Sequence, residues 1–233
     1  MESFKKYCAE FIGTAVLVIF GCGTAMALGT STVGSSGYIL TALVFGLTFM
    51  GLFYWMGQIS GCHLNPAVSV GVFVTGEMSA GDFFGYIIAQ LMGAFAGTEL
   101  LSLIWNLSDF TDITGDYYSN NVVLSGTAAS FIVELLLTFV FVLVVTGVIL
   151  RRDYHGAGGI AAGFTLTAVH IFGIVFTNAS VNPARSLASA LTALIGGNSQ
   201  PLSDVWIFIL APILGGAIAA GVYKATEVYR KSG

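Results

Sequence analysis

The sequence predicts an all-α membrane protein with six transmembrane helices, two re-entrant half-helices and an inverted repeat of three spans. Three features of the chain support this fold class: six long apolar segments, a correspondence between its two halves, and an Asn-Pro-Ala triplet in each half. Of the 233 residues, 56% are hydrophobic and 9% are charged, and the mean hydropathy is +0.88. Because so few charges cannot cover a water-facing surface, the composition excludes a soluble protein.

Six apolar segments each have about the length of a bilayer-spanning helix, which needs roughly 20 residues to cross a hydrocarbon core of about 30 Å. They are residues 8–28, 38–57, 83–105, 128–150, 158–177 and 204–223. No small-residue cleavage site follows the first segment before the second begins. We therefore interpret the first segment as a retained helix rather than a signal peptide.

The positions of the basic residues predict the orientation in the membrane. If the N terminus lies in the cytoplasm, seven of the eight basic residues fall on the cytoplasmic side, as the positive-inside rule requires. These seven are Lys5, Lys6, Arg151, Arg152, Lys224, Arg230 and Lys231. The connection 106–127 has three aspartates and no basic residue, which fits an external loop. We expect a multi-pass protein of the plasma (inner) membrane with both termini in the cytoplasm.

The two halves of the chain correspond in sequence. The matched residues are Glu10 and Glu134, Thr14 and Thr138, Gly46 and Gly163, Gly93 and Gly215, and the triplets 65–67 and 182–184. Each unit has three spans, an odd number, so the second unit enters the membrane from the opposite side and the halves are inverted. We expect one transmembrane domain over residues 1–233, with repeat one at 1–105, an external linker at 106–127, repeat two at 128–223 and a cytoplasmic C-terminal tail at 224–233.

Each Asn-Pro-Ala triplet is typical of a helix start. Pro66 and Pro183 suit the first helical position, where the missing N–H has no intrahelical partner to lose, and Asn65 and Asn182 are preferred caps just before it. A single Asn-Pro pair would be interpreted as a loop turn. Two copies at equivalent repeat positions, each followed by a short apolar stretch, instead predict two half-helices.

The half-helices are expected over residues 66–75 and 183–193. At about 1.5 Å per residue each is roughly 15 Å long, so two of them end to end match the hydrocarbon core. Inverted halves bring the two caps together near the middle of the membrane. Non-helical backbone at that depth must be enclosed by protein or face water, so we expect a water-lined path there.

The chemistry of this path follows from its two caps. If backbone groups hold each cap asparagine by its oxygen, we expect the amide N–H groups to donate toward the lumen, where two positive helix ends also point. A water molecule must then offer its oxygen to both asparagines. This arrangement opposes the passage of protons and cations and admits small neutral solutes.

The doubled triplet, with Arg185 directly after the second copy in "SVNPARS", resembles the major intrinsic proteins, the aquaporin and glycerol-facilitator family. The resemblance covers essentially the whole chain. It implies pore-centre roles for both triplets, including Ala67 and Ala184. It also implies a homotetramer in the lipid bilayer with one pore per subunit, and passive conduction of water without a cofactor, metal, nucleic-acid partner or catalytic residue.

The resemblance further implies a selectivity filter near the external mouth. Its positions match Phe45 in "LVFGLT", His170 in "TAVHIFG", Ala179 in "TNASVNPAR", and Arg185. Phenylalanine with histidine is similar to the water-selective members, whereas glycerol facilitators usually have tryptophan and a small residue. We expect Phe45 and His170 to fill space, and His170 and Arg185 to donate to water.

Further positions bear on the choice between water and glycerol. Ser186 and Ala190 resemble the pair found in water channels, whereas Ile209 stands where those channels commonly have tryptophan. The predicted function is therefore a water-selective channel, with a glycerol or small-neutral-solute facilitator as the alternative.

Other functions remain open from the residues alone. Glu10 and Glu134 could carry ions in a coupled transporter, but their repeat equivalence and their resemblance to the family's buried glutamates favour a structural role in bonding the re-entrant loops. No serine or cysteine has a plausible nearby base, which disfavours an intramembrane hydrolase. The three cysteines form no CxxC spacing and are interpreted as structural thiols.

Overall fold

The computed structural model describes residues 2–28, 37–108, 118–122, 126–151 and 155–232. Over these ranges the chain forms eight α-helices and no strand. They are α1 (Glu2–Leu28), α2 (Gly37–Ser60), α3 (Pro66–Thr75), α4 (Ala80–Leu107), α5 (Gly126–Leu150), α6 (His155–Thr177), α7 (Pro183–Ile195) and α8 (Gln200–Ser232). Six of them are long and apolar enough to cross a membrane. The predicted all-α class with six spans and two half-helices is confirmed.

The predicted spans mark the apolar parts of longer helices. α1 begins at Glu2 rather than residue 8, and α8 continues to Ser232, nine residues past the predicted span. The helices extend because the hydrocarbon core restricts side-chain polarity but does not end the backbone hydrogen bonding. The aspartates of the 106–127 connection and Arg152 lie outside the described residues.

The packing of the helices repeats between the two halves. α1 packs against α2 and α4, and in the same way α5 packs against α6 and α8. Each half-helix also packs against a long helix of the other half, α3 against α8 and α7 against α4. The two halves therefore interlock through their half-helices instead of forming separate bundles.

The matched glycines Gly46 and Gly163 let α2 and α6 cross in close contact. A Cβ atom on Gly46 would lie 2.3 Å from the carbonyl oxygen of Gly163, and one on Gly163 would lie 2.6 Å from that of Gly46. Since backbone cannot move aside as a flexible side chain can, only glycine fits at either position.

The second matched pair, Gly93 and Gly215, serves the two equivalent crossings within the halves. A Cβ on Gly93 would lie 2.2 Å from the Phe11 carbonyl oxygen, where α4 meets α1. A Cβ on Gly215 would lie 2.5 Å from that of Leu135, where α8 meets α5. The glycine repeat in the sequence thus reflects symmetric helix contacts.

We predict that Gly46→Ala destabilises the protein by about 1–3 kcal/mol, because the added methyl group overpacks a backbone contact. Its Cβ would lie 1.9 Å from the Thr167 hydroxyl oxygen as well as against Gly163. The measurement is the thermal unfolding midpoint in detergent. Gly51→Ala on the same helix is the matched control, since a Cβ there meets no atom within 4 Å. Equal midpoints for the two variants would contradict the proposed crossing.

Candidate functional site

The two Asn-Pro-Ala triplets start the two half-helices. Asn65 caps α3, and its Oδ1 accepts a hydrogen bond from the backbone N–H of Ala67 at 2.8 Å. Asn182 caps α7 in the same way, its Oδ1 accepting from the backbone N–H groups of Ala184 at 3.0 Å and Arg185 at 3.3 Å. A proline occupies the first turn of each half-helix. Both asparagine oxygens are thus held by backbone donors.

The asparagine amides also connect the two halves of the chain. The Asn65 Nδ2 donates to the Val181 carbonyl oxygen at 2.7 Å, and the Asn182 Nδ2 donates to that of Leu64 at 2.8 Å. We call residues 61–65, before α3, the first loop and residues 178–182, before α7, the second loop. Each amide has two N–H groups, so one bonds the opposite loop and the other is left for a solute. This differs from the expectation that both would face the lumen, because the caps meet closely enough to bond each other's loops.

A narrow cavity lies between the half-helices and the surrounding spans. Six apolar and six polar residues line it, and the polar ones come from both loops, from α6 and from α7. The apolar residues are Leu17, Phe45, Phe49, Phe141, Leu166 and Val181, and the polar ones are His63, Asn65, Ser180, Asn182, His170 and Arg185. Both cap asparagines and three of the four sequence-predicted filter residues therefore share one space.

Ala179 is the predicted filter residue whose side chain is not brought to this cavity. It is fully buried and packs in a small apolar cluster with Ala42 and Ile174. Its backbone is in the left-handed region at φ 42°. The turn that this conformation makes directs the Ala179 side chain toward α2 and α6.

Phe45 and His170 form a stacked pair. Their ring centroids are 4.3 Å apart at an interplanar angle of 28°, and the side chains are 3% and 2% exposed. A Cβ on Gly21 would lie 2.2 Å from the Phe45 ring, so the ring packs directly on the backbone of α1. The two rings are thereby held between α1 and α6.

The hydrogen bond of His170 decides what its ring offers to a solute. Its Nδ1 lies 2.9 Å from the Leu166 carbonyl oxygen. A carbonyl oxygen only accepts, so Nδ1 carries the proton, and in the neutral ring Nε2 is an acceptor. Among the described residues no group bonds to this buried Nε2. The sequence-based expectation made His170 a donor, and the structure gives the neutral ring the opposite role.

The segment 118–122 folds back over the second loop and holds Arg185, which is 1% exposed. The Nη2 of Arg185 donates to the Tyr118 carbonyl oxygen at 2.8 Å, and its Nη1 donates to the Asn120 Oδ1. Asn120 also donates from Nδ2 to the Thr177 carbonyl oxygen at 3.0 Å. Its Oδ1 accepts from the Ser186 hydroxyl at 2.6 Å. Sequence reasoning missed Asn120, because a polar residue in an external connection carries no signal that it will be buried.

Glu10 binds the first loop. Its Oε1 accepts from the Ser60 hydroxyl at 2.6 Å and the His63 backbone N–H at 2.9 Å. Its Oε2 accepts from the Leu64 backbone N–H at 2.6 Å and the Gln90 amide at 2.8 Å. Both carboxylate oxygens are thus occupied by donors of the loop, of the end of α2 and of α4.

Glu134 binds the second loop in the equivalent way. Its Oε1 accepts from the Thr177 hydroxyl at 2.6 Å and the Ser180 backbone N–H at 2.8 Å, and its Oε2 accepts from the Val181 backbone N–H at 2.8 Å. Neither Glu134 nor Glu10 is among the residues that line the cavity. The two acids therefore support the loops from behind and do not face the cavity.

Comparison with known proteins agrees with this geometry. The sequence model of the family described as major intrinsic protein matches residues 1–223. The chain belongs to the major intrinsic protein family. Among major intrinsic proteins, it is 38% identical to Aquaporin Z of Bradyrhizobium diazoefficiens, over 94% of this chain and 92% of that protein. It is 37% identical to Aquaporin Z of Brucella melitensis, over 94% and 96% of the two chains.

A solved structure extends the similarity to three dimensions. The aquaglyceroporin from Plasmodium falciparum superposes with a TM-score of 0.81 at 26% identity, covering 95% of each chain. The arrangement of six spans and two half-helices is therefore that of the major intrinsic protein fold.

We predict that Glu134→Gln destabilises the protein by roughly 1–3 kcal/mol, because the amide nitrogen cannot accept and leaves a buried loop N–H or hydroxyl without its partner. The measurement is the thermal unfolding midpoint of the purified protein. Glu77→Gln is the matched control, since Glu77 is exposed on the surface. If both variants unfold at the wild-type temperature, Glu134 does not support the loop.

Proposed function

We propose that this chain is a passive water channel, which conducts water in single file along its osmotic gradient and excludes protons and ions. The observation that carries the proposal is the narrow cavity in which the cap asparagines, Asn65 and Asn182, share one space with Phe45, His170 and Arg185. The names of the relatives, Aquaporin Z, support the same function for this chain.

The part of the cavity beside His170 and Arg185, which we call its outer part, offers a water molecule one acceptor and one donor. His170 presents Nε2 as an acceptor in its neutral form, and Arg185 presents an Nε–H that no described residue accepts. A water molecule can donate to the first and accept from the second at the same time. The stacked Phe45 ring restricts the width beside them. Selection by size and by hydrogen bonding is thereby combined in one place.

The centre of the cavity offers donors only. One amide N–H of Asn65 and one of Asn182 remain after their bonds to the opposite loops, and the N termini of α3 and α7 both point there. A water molecule between them accepts from both and directs its own hydrogens away. A continuous proton-conducting file is interrupted at this point.

Cations are excluded by charge and by lack of ligands. The described residues that line the cavity include no carboxylate, while Arg185 contributes a fixed positive charge. An ion that loses its hydration shell here finds no carboxylate among these residues to replace it. An ion-coupled transporter would need an accessible carrier group, and Glu10 and Glu134 lie outside the cavity with their oxygens bonded to the loops.

A glycerol facilitator is the second candidate, favoured by the similarity to the aquaglyceroporin. The Phe45 and His170 rings argue against it, since both line the cavity and their bulk takes up width that a carbon chain would need. Water therefore fits the constriction better than glycerol does.

The proposal includes the setting of the channel. We place the protein in the plasma membrane with both termini in the cytoplasm, as the basic residues favour, and as a homotetramer with one pore per chain. Conduction involves no catalysis and requires no cofactor. The pore-centre role belongs to the two triplets, and the filter role to Phe45, His170 and Arg185 together with the backbone at Ala179.

The direct test is osmotic shrinkage of liposomes that contain the purified protein, followed by stopped-flow light scattering. We expect fast shrinkage in sucrose, and in glycerol fast shrinkage without fast re-swelling. Protein-free liposomes are the control. Shrinkage no faster than in the control would contradict a water channel, and fast re-swelling would move the protein to the facilitator class.

We predict that Arg185→Val combined with His170→Ala widens the filter and raises urea and glycerol permeability by about tenfold, the factor that corresponds to a barrier lowered by about 1.4 kcal/mol. Re-swelling rates in each solute measure the change. Thr165→Val is the matched control on α6. Within the described part of the chain, the Thr165 hydroxyl bonds only the Ala161 carbonyl of its own helix, and Thr165 does not line the cavity. An unchanged solute profile in the double variant would refute the filter assignment.

A further inference from the structure

Tyr118 contacts the Arg185 guanidinium with its ring as well as with its carbonyl group. The guanidinium carbon lies 5.0 Å from the centroid of the Tyr118 ring, and the tyrosine is 2% exposed. Arg185 is therefore held by the backbone, the ring and a side-chain amide of the segment 118–120.

The backbone at Tyr118 is in a conformation that bulky residues rarely adopt. Its φ is 54°, in the left-handed region, where a non-glycine residue is strained. Two bonds hold the following residues in place: Asn178 Nδ2 donates to the Ser119 carbonyl oxygen at 3.0 Å, and Asn120 Nδ2 donates to that of Thr177 at 3.0 Å. These contacts hold the turn in its strained conformation. In that conformation both the ring and the carbonyl group of Tyr118 face Arg185.

The hydrogen bonds of the Arg185 guanidinium use two of its three nitrogens. Asn120 and the Tyr118 carbonyl take Nη1 and Nη2, and Nε is left without a partner among the described residues. These two bonds fix the outer nitrogens, but they do not prevent the guanidinium plane from tilting about the line that joins them. The Tyr118 ring beside the guanidinium carbon opposes that tilt, and the cation–π attraction is strongest where water is excluded.

We propose that Tyr118 is a positioning residue that sets the solute specificity of the constriction by holding the plane of the Arg185 guanidinium through its aromatic face. The inference rests on the proposed water-channel function, and it deepens that function by assigning a specificity role to a residue of the external connection. The ring keeps Nε directed at the permeating solute and keeps the guanidinium from swinging out of the filter.

The test compares two substitutions that both keep the backbone carbonyl. Tyr118→Phe keeps the aromatic face, and Tyr118→Leu keeps apolar bulk without it. The readout is the ratio of urea to water permeability in proteoliposomes. We expect the wild-type ratio in Tyr118→Phe and a ratio raised about fivefold in Tyr118→Leu, the size of effect that a buried cation–π contact supports. Equal ratios in the two variants would overturn the proposal, because simple packing would then explain the residue.

A second comparison asks whether Tyr118 acts through Arg185. In an Arg185→Val background, Tyr118→Leu is expected to leave the urea-to-water ratio unchanged, because the group that it positions is absent. A further fivefold rise in that background would overturn the proposal. If Tyr118→Leu does not fold, as judged by size-exclusion profile and unfolding temperature, Tyr118→Met provides a flexible apolar side chain for the same comparison.

The failure of this inference can be told from a failure of the proposed function. If the wild-type protein conducts water and Tyr118→Leu has the same water and urea permeabilities, only the role of Tyr118 is overturned. Wild-type protein without fast water flux overturns the water-channel function and this inference with it.

Discussion

The bonds between two buried glutamates and the two re-entrant loops are the constraint on which the rest of the structure depends. The loops contain left-handed residues at equivalent positions, Leu64 in the first and Val181 in the second. Backbone N–H groups of these turns cannot bond to lipid, and each would be costly if left unsatisfied inside the bundle. Glu10 and Glu134 accept those N–H groups. These bonds hold each strained loop in its conformation, and each half-helix starts where its loop ends.

Because the loops are fixed, the first residues of each half-helix place the polar groups that face the solute. Each cap asparagine gives its oxygen to its own helix and one N–H to the opposite loop, so the two halves are joined through the groups that face the solute. The symmetry ends one residue after each triplet. Val68 follows the first and is buried in the core, whereas Arg185 follows the second. Only the second loop is covered by the segment 118–120, whose carbonyl and amide oxygens accept from a guanidinium.

This asymmetry explains why the cavity has different chemistry at its centre and at its outer part. The centre has one amide donor from each half. The outer part has an acceptor at His170 and a donor at Arg185, with the Phe45 ring stacked on His170. In the proposed channel, a water molecule satisfies both parts in turn, while a proton or a cation meets a positive potential and no carboxylate. The segment that holds Arg185 therefore belongs to the functional site as much as the half-helices do.

The sequence by itself determined the six spans, the half-helices and their inversion, because bilayer thickness sets helix length and the Asn-Pro pairs are local start signals. It also matched Gly46 with Gly163, whose close crossing is a property of the repeat. Only the tertiary structure decided the partners of Arg185, because Asn120 lies 65 residues away in the chain and its polarity alone predicts exposure to water. The acceptor role of His170 and the packing of the Ala179 side chain were decided in the same way. Both depend on where neighbouring backbone carbonyls and side chains come to lie after folding, which residue type and spacing do not encode.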